Sequence, residues 1–109
     1  MIKASFIVRG KGHVGFTLSG HSGYADAGSD IVCAAVTSAV RYAECVMNDI
    51  LGCEVPFEVD EDSTTIAMKL GSDMTKGKYE SCAALIEGLY RYLTQLQDEF
   101  PDNIDVLEV

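Results

Sequence analysis

The amino-acid sequence predicts an α+β fold, with two hairpins and a last strand forming an antiparallel or mixed sheet and two helices on one of its faces, in the order ββαββαβ. Three observations carry that prediction. Apolar and polar residues alternate in two adjoining stretches at the start, on either side of Gly10-Lys11-Gly12. They alternate again on either side of the acidic tip Asp60-Glu61-Asp62-Ser63. After each of these pairs comes a longer stretch without proline, in which apolar residues recur at helical spacing. No repeat, linker or low-complexity segment interrupts the 109 residues, so residues 1–109 are expected to fold as a single domain.

Taken in order, residues 2–8 place Ile2, Ala4, Phe6 and Val8 on one face, with Lys3, Ser5, Ile7 and Arg9 on the other. Val14, Phe16 and Leu18 resume the alternation after the Gly-Lys-Gly turn, which makes the pair a hairpin. His13 at its turn end is expected to be solvated. Gly20 to Gly28 reads as a loop, longer than an ordinary strand-to-helix connection. Ser29 suits an N-cap and Asp30 the first turn, where a carboxylate favours the helix dipole. A helix is therefore expected from Asp30 to about Leu51, closed by Gly52. Its leading stripe is Ile31, Ala35, Ser38, Tyr42, Cys45 and Asp49, widened by Val32, Val36, Ala39, Val40, Ala43 and Val46. Pro56–Val59 and Thr64–Leu70 form the second hairpin. The second helix runs from about Lys76 to Phe100 on a stripe of Tyr79, Cys82, Leu85, Ile86, Leu89, Leu93, Leu96 and Phe100, until Pro101 stops it. Ile104 and Val106 mark a last strand within Asn103–Glu108.

Composition narrows the class of function. A 48% hydrophobic and 23% charged chain is an ordinary globular one, and disorder is excluded. No apolar run approaches the roughly 20 residues of a membrane span, and MIKASFIVRG lacks the apolar core of a signal peptide. A cytoplasmic chain with no membrane association is the expectation. The net charge of −9 argues against nucleic acid as a partner. It suits a basic protein partner, though acidity that serves only solubility explains it equally well. Cys33, Cys45, Cys53 and Cys82 show no metal-ligand spacing and there are only two histidines, so neither a metal nor a cofactor is expected. Cys45, Cys53 and Cys82 read as core or helix-face residues.

Gly20 to Val36, GHSGYADAGSDIVCAAV, is the stretch with chemical content. His21 precedes Cys33 by 12 residues, enough chain to fold back and bring imidazole and thiol together. Such a pair is the minimum equipment for covalent acyl transfer, with thiolate as nucleophile and imidazole as base and then acid. The competing reading is a core thiol beside a surface histidine. With the helix starting at Asp30, Cys33 falls about four residues in, where the dipole favours thiolate and first-turn N–H groups can meet an oxyanion. Asp30, three residues earlier, either orients His21 as a third triad member or is only a helix-start acid. Thr37, one turn after Cys33, either hydrogen-bonds near the sulfur or back-bonds to the helix. Tyr24 and Asp26 have no assignable role.

The same stretch resembles the signature of the ribosomal-processing cysteine protease (Prp) family: Gly-His-(small)-Gly-Tyr-Ala, then Gly-x-Asp-Ile-Val-Cys-Ala-Ala. Length and element order across the chain are similar to that family too. The resemblance implies a homodimeric α+β cysteine endopeptidase that removes the N-terminal extension of a large-subunit ribosomal protein, number twenty-seven, and so exposes the mature terminus. It implies His21 and Cys33 as the catalytic dyad, with Gly20 and Asp30 in the same signature. A glycine-rich loop carrying Gly20, Ser22, Gly23 and Gly28 is then expected to bind substrate and to move as it does so. Thr37 stands where the family more often has serine. A basic ribosomal-protein precursor as substrate matches the acidic chain. Two rivals stand beside this reading: a non-enzymatic ribosome-assembly binding factor, and a thiol hydrolase acting on another acyl substrate.

Overall fold

The computed structural model describes residues 1–20 and 27–109. Strands β1 (Ile2–Arg9) and β2 (Gly12–Ser19) lead to helix α1 (Ala27–Glu44), which widens into a π-type segment, Cys45–Ile50. Strands β3 (Glu58–Asp60) and β4 (Thr65–Lys69), helix α2 (Lys76–Glu99) and strand β5 (Ile104–Glu108) follow. The sheet order is β3-β4-β2-β1-β5. All pairings are antiparallel except β1 with β5, which is parallel. The result is the expected mixed sheet with two helices.

Alternation along each strand decides which face is buried. Phe6 pairs with Phe16 and Phe16 with Met68; Ala4 pairs with Leu18 and Val106. These residues and Ile104 turn one face of the sheet toward the helices. The helices answer with Val32, Val36, Val40, Ala43 and Met47 from α1 and its extension, and with Cys82, Ile86, Leu89, Leu93 and Leu96 from α2. Each large apolar side chain fully buried here stabilises the fold by roughly 1.5–3 kcal/mol. Thr75 caps α2, its Oγ1 accepting from the Lys78 N–H at 3.3 Å.

Three expectations change. Helix α1 starts at Ala27 rather than after a Ser29 cap, because Ala27 and Gly28 continue the helix and the cost of one helical glycine, about 1 kcal/mol, is absorbed. Gly28 is therefore helical, not a loop residue. The core-facing stripe of α1 is also rotated from the one expected. Val32, Val36, Val40 and Ala43 are buried, while Ile31 is 56% and Tyr42 69% exposed. The Ala35–Ser38–Tyr42 side instead forms a surface groove with Ala84, Gly88 and Tyr92 of α2.

The third change is His13, expected in solvent and found 6% exposed. Ile7 pairs with Gly15 but Val8 pairs with His13, so Val14 is an extra residue in β2. A bulge of this kind re-aims the side chains beside it. His13 turns onto the helical side, its ring 4.3 Å from that of Tyr90 and edge-on to Phe6. Its Nδ1 lies 2.8 Å from Glu87 Oε2 in α2, and its Nε2 lies 2.8 Å from Glu108 Oε2 in β5. Two carboxylates accept from both nitrogens only when the ring is an imidazolium.

Burial by itself pulls the His13 pKa down, but the hydrogen bonds and charges of Glu108 and Glu87 outweigh it and hold the pKa above the usual 6.5. The same contact, helped by Arg91, holds the Glu87 carboxyl below its ordinary range. A raised histidine pKa means stability fully present below 6.5 and lost as pH climbs through the folded value. A depressed Glu87 means stability lost as pH falls through its folded value. The cluster therefore stabilises most in mild acid. Denaturant midpoints measured from pH 5 to 9 are expected to decline for the wild type. That decline should be absent in His13→Gln; an identical pH profile in the two proteins would contradict the clamp.

Candidate active site

Where α1 passes over the end of the sheet, a cleft of about 320 Å³ opens between them. Its floor is apolar, from Ile2 at the start of β1, Leu18 at the end of β2 and Ile66 in β4. One wall is α1, presenting Cys33, Val36 and Thr37; the other is the β3–β4 hairpin, presenting Val59, Asp60 and Glu61. Ser19 and Gly20 close one end.

The helix geometry explains why Cys33 faces this space. Each residue turns about 100°, so Cys33 follows core-facing Val32 and Thr37 follows core-facing Val36 onto the same flank. Cys33 is half-buried and Thr37 exposed, which leaves the sulfur lining an open cleft. Gly20 is there for a backbone reason. Its φ is +85°, and a Cβ would collide with the Met1 carbonyl oxygen. Only glycine lets β2 end against the start of β1 in this way.

Cys33 is the seventh residue of α1, not the fourth or so as expected from the sequence. The unsatisfied N–H groups of a helix belong to its first four residues, and the dipole's effect fades beyond the first turn. Cys33 therefore lies beyond the turn whose N–H groups and dipole the sequence pointed to. The hairpin wall carries negative charge. Asp60 Oδ1 accepts from the Asp62 N–H at 3.0 Å and the Ser63 N–H at 3.3 Å, and hydrogen bonds from Ser63 and then Asp62 hold its carboxyl below the usual range. Thr64, at φ +50°, makes the turn that follows.

Of the residues singled out in the sequence, Gly20, Cys33 and Thr37 meet in the cleft. His21, Ser22 and Gly23 lie outside the described residues. Gly28 and Asp30 sit in the first two turns of α1. Sequence reasoning missed the hairpin wall; the acidic tip was legible as a turn, but nothing local showed that it would face Cys33. No helix among the described residues is long and apolar enough to cross a membrane.

Comparison with known proteins agrees with a thiol-bearing cleft on this fold. The family model described as cysteine protease Prp matches residues 1–105, and the chain belongs to that family of cysteine proteases. The ribosomal processing cysteine protease Prp of Bacillus subtilis (strain 168) is 28% identical over 96 residues, covering 88% of this chain and 86% of that one. Among solved structures, the SMU.848 protein of Streptococcus mutans superposes with a TM-score of 0.86 at 29% identity, covering 100% of this chain and 94% of that one. The S. aureus ribosomal processing protease Prp, solved with a substrate peptide, shares the fold over the full length of both chains, with a TM-score of 0.78 at 16% identity. Membership of a protease family sets aside the non-enzymatic binding factor.

Proposed function

We propose that this chain is a cytoplasmic endopeptidase that removes the N-terminal extension of a large-subunit ribosomal-protein precursor, the counterpart of ribosomal protein twenty-seven. The observation that carries the reading is Cys33 lining a peptide-sized cleft together with Gly20, the residue next in sequence to His21. His21 takes the Cys33 proton, and the thiolate attacks the scissile carbonyl carbon. His21 returns the proton to the departing amine as the C–N bond breaks, leaving a thioester on Cys33. Water, deprotonated by His21, hydrolyses the thioester and frees the new carboxylate. Asp30 orients the imidazole, and Thr37 supports the sulfur from one turn along α1. Gly20, Ser22 and Gly23 hold substrate backbone, with Gly28 at the base of that segment in α1.

Because the helix start is displaced from Cys33, activation falls to the imidazole and oxyanion binding to N–H groups outside the helix. The B. subtilis relative is named for ribosomal processing, and the S. aureus enzyme has also been solved with a covalently linked product peptide; both support this assignment. The net charge of −9 and the Asp60–Glu61 wall suit a basic substrate.

Incubating the precursor with the wild-type chain is expected to release one discrete N-terminal peptide, detected by mass spectrometry. Cys33→Ala should slow that release by about four to six orders of magnitude; undiminished cleavage by the variant would sink the mechanism. The active form is a homodimer, joined through the outer groove of α1 and α2 where Tyr42 and Tyr92 stand exposed. Sedimentation equilibrium should give twice the chain mass, and Tyr42→Lys should shift the protein toward monomer. A wild type that sediments as a monomer at micromolar concentration would refute the dimer.

A further inference from the structure

Two thiols that peptide hydrolysis does not use are in contact. Cys53 Sγ and Cys82 Sγ are 3.5 Å apart, the one following the π-type segment and the other in α2. Cys82 is fully buried in the core, and Cys53 packs half-buried against it. The backbone holds Cys53 in place from both sides. Gly52 and Glu54 flank it in left-handed conformations, with φ of +66° and +54°. The Cys53 N–H donates to the Met47 carbonyl at 2.9 Å. Just beyond, Asn48 Nδ2 donates to the Val55 carbonyl at 2.9 Å, and the Val55 N–H donates to Asn48 Oδ1 at 2.7 Å. A non-glycine residue at positive φ is uncommon, and Glu54 adopts it directly beside the paired thiol.

We propose that Cys53 and Cys82 form a redox pair that hydroperoxides close to a disulfide, stapling both ends of the chain segment that builds the outer wall of the Cys33 cleft. The 29-residue separation of the two cysteines encloses β3 and β4, and with them Val59, Asp60 and Ile66 of the cleft. Reaching the bonded distance of about 2.05 Å requires the sulfurs to close by only about 1.5 Å.

The chemistry balances in two steps. Cys53, the less buried of the two, attacks one oxygen of hydrogen peroxide; the O–O bond breaks, giving a sulfenic acid and one water. Cys82 then attacks the Cys53 sulfur; the S–O bond breaks and the leaving hydroxide takes the Cys82 proton as a second water. Two thiols are oxidised and one peroxide is reduced. Burial, with the Cys53 contact adding to it, pushes the Cys82 thiol up to about 11, which keeps it inert toward solvent and confines its reaction to the neighbour it touches. A thiol reductant reverses the bond by exchange.

The test uses the full chain, reduced, freed of reductant and treated with a few equivalents of hydrogen peroxide. Digestion without reduction is expected to yield a peptide joining Cys53 to Cys82, about 2 Da lighter than its two reduced halves together, whatever oxygen is added separately at Cys33. The Tm of the oxidised chain should rise by roughly 5–15 °C and fall back with dithiothreitol, since closing a loop of this length mainly restricts the unfolded chain. Cys53→Ser, at the half-buried position, should lose both the cross-link and the shift, and Cys82→Ala should behave in the same way. Cys45→Ser should keep both. A protein that retains all its thiols, a cross-link through Cys33 or Cys45, or a Tm shift that survives in Cys53→Ser would each overturn the proposal. None of these readouts needs a substrate, so failure here is distinguishable from failure of the protease reading.

Discussion

The contact on which the rest depends is the row Val32, Val36 and Val40 pressed into the helical face of the sheet. These side chains are 0%, 4% and 4% exposed, and they fix the rotation of α1 about its own axis. Once that rotation is set, every other residue of the helix has its direction. One flank carries Cys33 and Thr37 over the cleft; the opposite flank carries Ala35, Ser38 and Tyr42 into the groove beside α2. A turn of the helix by one residue position would bury the sulfur or strand it in solvent. Packing in the core thus acts as the positioning device for the Cys33 thiol at the cleft, a link from apolar spacing to the placement of a reactive group.

The polar interactions serve the edges of the same core. His13 joins β2, α2 and β5 through two carboxylates, at the end of β2 away from the cleft. Backbone bonds carry β5 along β1 to the last residue, with the Val8 N–H donating to the Val109 carbonyl at 2.9 Å and the Val109 N–H to the Phe6 carbonyl at 2.8 Å. At the other side of α2, the Asn48–Val55 pair and the Cys53–Cys82 contact anchor the chain before it leaves for the β3–β4 hairpin. Strand β3 has little core beneath it, with Val59 64% exposed, whereas β4 sends Met68 into the core. The placement of β3 relies on its pairing with β4 and on those anchors.

Much of this was legible in the sequence, because strand alternation and helix spacing are local signals. The two hairpins, α2 from Lys76, the closing Gly52 and the last strand all follow from them. What the sequence hid depended on distant residues. Two apolar stripes compete on α1, and only the sheet decides that the valine stripe goes inward and the Ile31–Tyr42 stripe outward. The start of α1 was misread because Ser29 and Asp30 are residue types that suit a cap, while the helix already runs from Ala27. His13 escaped because a single bulge at Val14 reversed the direction that alternation assigns to it. The cysteine of the cleft could be singled out from its motif, but its second wall could not, since the β3–β4 hairpin meets α1 only in three dimensions.

The most direct test of the central claim is the rate at which Cys33 is alkylated as a function of pH, read by mass spectrometry alongside Cys45, Cys53 and Cys82. With the helix start six residues away, Cys33 should owe its reactivity to His21. The expected result is rapid, selective modification of Cys33 across the neutral range in the wild type, and loss of that selectivity in His21→Ala. A wild-type Cys33 no faster than Cys45, Cys53 and Cys82, or a profile unchanged by His21→Ala, would contradict the proposal of a cysteine–histidine active site in this cleft.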